Sequence, residues 1–223
     1  MIKQRAGDFP KNLLPYLILS VAPLCWAGNI VLARGVADLI PPVAFAFWRW
    51  TLAFVLNPIA GMGGKVGLKG TDGAEVLTRA ILIGATPESP CRAVRALEGL
   101  AGLHHDIHFL TYPGEMGESE LASSGLEYTV IGSILPGNTT AEDTERAARE
   151  MRAAGVELLL FVGGDGTARN IFNAVGDQVP VLGIPAGVKM HSAVFGTTPR
   201  NAGELAKLFL QGKAVGTREA EVM

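Results

Sequence analysis

Apolar residues gather into short continuous runs at residues 51–56, 107–111, 128–132, 157–162 and 179–184. Strands buried on both faces of a parallel sheet read this way, because every side chain meets the core. Between the runs, residues 74–83, 90–100, 141–154, 168–175 and 202–211 read as helices. Strand and helix alternate, which predicts an α/β fold with a parallel sheet and helices flanking it. Ser89 before Pro90 forms a predicted N-cap and first turn, Thr140 caps the helix that follows it, and Gly155 closes that helix.

The start of the chain differs in kind. Residues 13–33 carry no charged side chain, and a run of about 20 such residues can cross a bilayer as a helix. Lys3, Arg5 and Lys11 favour a cytoplasmic N-terminus, and Arg34 weakens that asymmetry. A signal peptide would suit the charged start but not Cys25-Trp26-Ala27, a poor cleavage site, and a buried soluble helix is the plainer alternative. Residues 43–56 supply a second candidate span, in which Arg49 needs a partner. Trp26-Ala27-Gly28-Asn29, Pro41-Pro42 and Phe47-Trp48-Arg49-Trp50 together resemble the first two helices of the drug/metabolite transporter superfamily, over residues 13–54. None of the further helices that would enclose a substrate path follows.

These readings divide the chain into a hydrophobic helical segment at 1–50, with one or two transmembrane helices, and an α/β domain at 51–223. Membrane association is expected through residues 13–56. The division strains at 51–56, which is needed both as the tail of the second span and as the first strand. If the strand wins, the second span is too short to cross.

A formal charge of −2 without a basic stripe excludes nucleic acid and leaves small molecules as the expected partners. Cys25 and Cys91 lie far apart, outside any CxxC or Cys/His cluster, so neither a disulfide framework nor a zinc site is expected and a reducing compartment fits. His104, His105 and His108 lack metal-ligand spacing and read as surface residues. Self-association is left open.

Chemistry concentrates in the glycines. Gly163-Gly164-Asp165-Gly166-Thr167 follows an apolar strand and precedes a helix, where ligands bind in open α/β sheets and glycines free backbone N–H groups to face phosphate. Asp165 stands out, since a carboxylate there repels an anion unless it acts as a base or holds a bridging metal. The plainer reading is an Asp-Gly turn that caps the helix. A second loop, Asn57-Pro58-Ile59-Ala60-Gly61-Met62-Gly63-Gly64-Lys65, also follows a strand, and Val66 in place of Ser or Thr rules out a Walker A mechanism. In the glycine run at 67–73, Asp72 either holds a metal or ribose hydroxyl or caps the next helix. A third cluster follows the strand at 181–184: Lys189 would meet phosphate, and Ser192 a ribose or phosphate oxygen, while Lys189 and His191 also read as ordinary surface residues.

The loop at 57–64, the run at 67–73, Gly163 to Thr167, and Gly183-Ile184-Pro185-Ala186-Gly187-Val188-Lys189-Met190-His191-Ser192 together resemble the ATP-NAD kinase family, within the NAD-kinase and diacylglycerol-kinase-like superfamily, over residues 55–223. The resemblance implies a Rossmann-like parallel sheet and phosphoryl transfer from ATP, or polyphosphate, to the ribose 2′-hydroxyl of NAD, with Mg²⁺ offsetting charge. Asp165 would be the general base. Asn57, Gly61, Gly63, Gly64, Asp72, Gly163, Gly164, Gly166, Thr167, Lys189 and Ser192 would bind nucleotide, and no residue is assigned as a metal ligand. Such kinases continue into a β-rich domain that forms much of the NAD pocket, so a sequence ending at Met223 reads as cut before it, which puts turnover in doubt.

Two alternatives come from other classes. One is a diacylglycerol-type lipid kinase, against which the cluster at 183–192 argues; the other is a non-catalytic transporter fragment. Because ATP is cytoplasmic, the kinase reading prefers zero or two membrane crossings, with the catalytic part in the cytoplasm and any anchor in the inner membrane.

Overall fold

The computed structural model describes residues 50–67, 74–137, 139–187, 190–213, 216, 217 and 222. Five strands form one parallel sheet: β1 (Trp50–Leu56), β2 (Ile107–Thr111), β3 (Tyr128–Val130), β4 (Leu158–Gly163) and β5 (Val181–Pro185), in the order β3-β2-β1-β4-β5. The chain winds outward from β1 to β3, then crosses back to place β4 on the other side of β1. The strand order therefore reverses between β1 and β4, and the crevice outside their carboxyl ends is where such sheets bind ligands.

Helices cover both faces. Leu52, Phe54 and Leu56 face a core shared with α3 (Ser89–Leu97), α4 (Glu118–Ser124) and α7 (Pro199–Leu210). Ala53 and Val55 face a second core with α5 (Ala141–Ala153) and α6 (Asp165–Val175). The two remaining helices, α1 (Met62–Lys65) and α2 (Ala74–Leu82), pack on each other through a smaller cluster around Met62 and Ala80.

The double demand on residues 51–56 resolves in favour of the strand. Leu52 to Leu56 are at most 1% exposed and pair with β2 on one side and β4 on the other, which a membrane helix could not do. The second span is thereby overturned, since residues 43–49 as a helix reach only about 10 Å. Among the described residues no helix is long and apolar enough to cross a membrane. The first candidate span, at 13–33, lies outside the described residues.

Two of the three predicted caps and stops hold. Thr140 caps α5 in a reciprocal box with Asp143, and Gly155 follows that helix at φ +79°. Ser89 is not the cap of α3: Glu88 holds that position, and the buried Ser89 hydroxyl donates to the Ala60 carbonyl at 2.9 Å.

Glu120 on α4 is 7% exposed and its Oε2 has no hydrogen-bond partner. Burial pushes its carboxyl above the usual range, against a smaller opposing pull from its own backbone N–H. A raised carboxyl pKa contributes stability that is complete below the unfolded value and lost as pH rises through the folded one. Glu120→Gln, which cannot ionise, is expected to stabilise the chain at pH 7 by about 1 kcal/mol and to be neutral near pH 4. Urea denaturation at the two pH values measures this; equal effects at both would refute it.

Candidate functional site

Asn57 ends β1 and joins it to its neighbour. Its N–H donates to the Val162 carbonyl at 3.0 Å, extending the ladder to β4. Its side chain then splits its two functions: Nδ2 donates to Thr167 Oγ1 at 3.0 Å, and Oδ1 accepts the Ile59 N–H at 3.2 Å. The first loop is thus tied to α6 by a residue that also shapes its own turn. Gly61 follows at φ 80°, ψ −8°, as the N-cap of α1. A Cβ there would overlap the carbonyl oxygen of Ala186, so the first loop rests backbone to backbone on the segment leaving β5.

Gly163 ends β4 within the same knot. Its carbonyl accepts the Ala186 N–H at 2.9 Å, and a Cβ on it would overlap the Thr167 side chain. Gly164 is extended and is the N-cap of α6, with no side-chain cap. Nothing lies within 4 Å of the position its Cβ would take. The helix begins at Asp165, three residues before the predicted start, so Gly166 and the buried Thr167 lie in its first turn. An uncapped N-terminus beside open glycine backbone is suited to an anion.

Asp165 turns its carboxylate toward the segment at 190–192. It accepts the His191 N–H at 3.1 and 3.2 Å on its two oxygens and the Ser192 N–H at 2.9 Å on Oδ1. Burial raises its pKa, but the Ser192 hydroxyl and N–H, the His191 N–H and the His191 charge outweigh that and hold the carboxyl below its ordinary range. Asp165 is therefore ionised at neutral pH and is already serving as an anchor. Ser192, carried over as a nucleotide ligand, is buried and belongs to this anchor. The residues that follow, 194–196, run along the outer edge of β5, where the Gly183 N–H donates to Val194 and its carbonyl accepts the Gly196 N–H.

Arg92 completes the arrangement, and no sequence signal marked it. From α3, its Nη1 donates to the carbonyls of Pro185 and Gly187 at 3.3 and 3.4 Å, and Nη2 pairs with Glu88 at 3.0 Å. Of the other predicted residues, Gly63 is buried inside α1 and Gly64 is exposed, with open space where a Cβ would be. Asp72 and Lys189 lie outside the described residues. His104 and His105 are exposed, as expected of surface residues, and the half-buried His108 bonds Thr129 at 2.9 Å. Among the described residues no three His, Cys, Asp or Glu side chains converge on a metal site.

The fold and this crevice define a doubly wound α/β domain with glycine loops meeting at its switch point. The sequence profile of the ATP-NAD kinase N-terminal domain matches residues 52–214, and the chain belongs to that family. The match shares only residues 52–54 with the stretch at 13–54 that resembles a transporter, and no comparison supports that resemblance. No curated protein matches the chain. Among solved structures it is similar to a diacylglycerol kinase of Bacillus anthracis str. Sterne, at 19% identity and a TM-score of 0.37, covering 73% of this chain and 43% of that one. It is similar also to a protein of that organism provisionally named a diacylglycerol kinase, at 20% identity and a TM-score of 0.37, covering 73% and 41%. The chain thus spans less than half the length of these structures.

Proposed function

We propose that this domain binds ATP, or polyphosphate, and passes a phosphoryl group to the ribose 2′-hydroxyl of NAD, giving NADP. The observation that carries the reading is the junction of three glycine loops, from β1, β4 and β5, at the switch point of the sheet. Membership of the ATP-NAD kinase family supplies the chemistry. Phosphoryl transfer needs little covalent work from protein; it needs the phosphates held in place and their charge met. The N–H groups at the start of α6 and the open backbone at Gly64 and Gly164 would do the holding. Further along the sheet, a cavity of about 230 Å³ lies past the ends of β2 and β3, lined by Pro113, Glu115, Ile134 and Pro136 among others. Strands about 4.8 Å apart put it roughly 10 to 14 Å from the β4 loop, a span suited to the length of a nucleotide.

Mg²⁺ has no protein cage among the described residues, and Asp165 already serves the N–H groups of His191 and Ser192. The ion would enter on the phosphates, as Mg²⁺ commonly does, and we assign it no protein ligand. Use of ATP puts the domain on the cytoplasmic side.

The test is to incubate the whole chain with ATP and Mg²⁺ plus either NAD or diacylglycerol. NADP is the expected product. Labelled lipid without NADP would overturn the choice of acceptor, and neither product would reduce the reading to nucleotide binding.

A further inference from the structure

We propose that Arg92 is a positioning residue that sets the gap between the first and third loops of the crevice, and through it the affinity for nucleotide; this rests on the nucleotide-site reading above. The contacts close a ring. Ser89 donates to the carbonyl of Ala60. Gly61, the next residue, lies so close to Ala186 that a Cβ would overlap its carbonyl. Pro185 and Gly187, on either side of Ala186, give their carbonyls to Arg92. Ser89 and Arg92 are three residues apart in α3 and so share a face of that helix. One turn of helix therefore grips both loops, and the loops touch where it grips them.

The chemistry at each end differs. The Ser89 hydroxyl is wholly buried and makes one neutral bond. Arg92, with 22% of its side chain exposed, spreads a charge over two carbonyls and the carboxylate of Glu88. Those two carbonyls belong to residues flanking Ala186, so the guanidinium fixes the orientation of the turn as well as its distance. A planar fork with five donors can bridge such a set, whereas a lysine ammonium is a single point on a flexible stem and cannot hold both carbonyls and Glu88 together. Because Gly61 leaves no slack against Ala186, any shift of the turn passes to the first loop. The open backbone at Gly64 lies three residues further on.

The experiment compares the full chain with Arg92→Lys, Arg92→Ala, Ser89→Ala and the double variant Ser89→Ala/Arg92→Lys. ATP affinity with Mg²⁺ is read by calorimetry, stability by thermal midpoint, and loop order by amide exchange. Arg92→Lys is expected to weaken ATP about tenfold and to move the midpoint by less than about 3 °C. Exchange should quicken in peptides covering 57–64 and 181–187 and nowhere else. Arg92→Ala should weaken ATP at least as much, and the double variant should fall short of the product of the two single effects, because both act on one gap. A lysine that restores full affinity, additive effects, or exchange that rises throughout the chain would each overturn the assignment. If the unaltered chain binds no ATP, the nucleotide reading fails; if it binds and the variants bind equally well, the Arg92 assignment alone fails.

Discussion

Asp165→Asn is expected to lower NADP formation between about a hundredfold and ten-thousandfold, the range for loss of a general base. The substitution is nearly isosteric, so what changes is charge and hydrogen-bond sense. An amide would turn a donor toward the N–H groups of His191 and Ser192, which the carboxylate now accepts. It would also remove the negative charge that the first turn of α6 favours. Two roles can be told apart by kinetics. If Asp165 only anchors the segment at 190–192, the loss appears mainly in KM; if it takes the proton of the attacking hydroxyl, the loss appears in kcat.

The pH dependence follows from the same geometry. Since the carboxyl is held below its ordinary range, its contribution to stability is present above the unfolded value and is lost only as pH falls through the folded one, below about pH 4. Activity limited by this group should therefore be flat across neutral pH. A carboxylate so well bonded is also a weak base, so its N–H partners work against its taking the hydroxyl proton. Steady-state NADP formation from pH 5 to 9 for both proteins measures all of this. Equal rates would remove Asp165 from the mechanism.

The central strands were legible because burial on both faces leaves a continuous apolar run, which is why the runs at 51–56 and 157–162 read as β1 and β4. The edge was less so. Residues 128–132 are apolar enough to read as one strand, but β3 stops at Val130, and Gly132 turns at φ +67° over the ring of Tyr112. Short helices escaped for local reasons. Met62–Lys65 holds two glycines, poor helix formers, and Glu118–Ser124 is a short serine-rich stretch without an apolar repeat. The glycine loops could be found because their composition is local. The partners could not: Asp165 meets its donors 26 and 27 residues away, and Arg92 bonds residues 93 and 95 positions on. Ser89 shows the same limit in reverse, because a residue with good capping chemistry is claimed instead by a carbonyl 29 positions back.

Glycines of one motif should therefore fail in different ways, and Gly61 and Gly64 give the clearest contrast. Gly61→Ala puts an L-residue at φ 80°, which costs about 1–2 kcal/mol, and drives its Cβ into a backbone oxygen of Ala186. Neither side can yield cheaply, because Ala186 is itself hydrogen-bonded to Gly163 and its neighbours are held by Arg92. A total loss of about 3 kcal/mol is expected, with ATP binding lost in step as the crevice opens. Gly64→Ala meets nothing within 4 Å and sits in helical backbone, so stability should hold or rise by up to about 1 kcal/mol. Its methyl would nonetheless stand in the open space assigned to phosphate. ATP affinity should fall about tenfold in a protein as stable as the original. Urea denaturation and calorimetric titration of the two variants decide it. A Gly64→Ala protein that binds ATP normally would move the phosphates away from α1, and a stable Gly61→Ala protein would mean that the first and third loops do not touch.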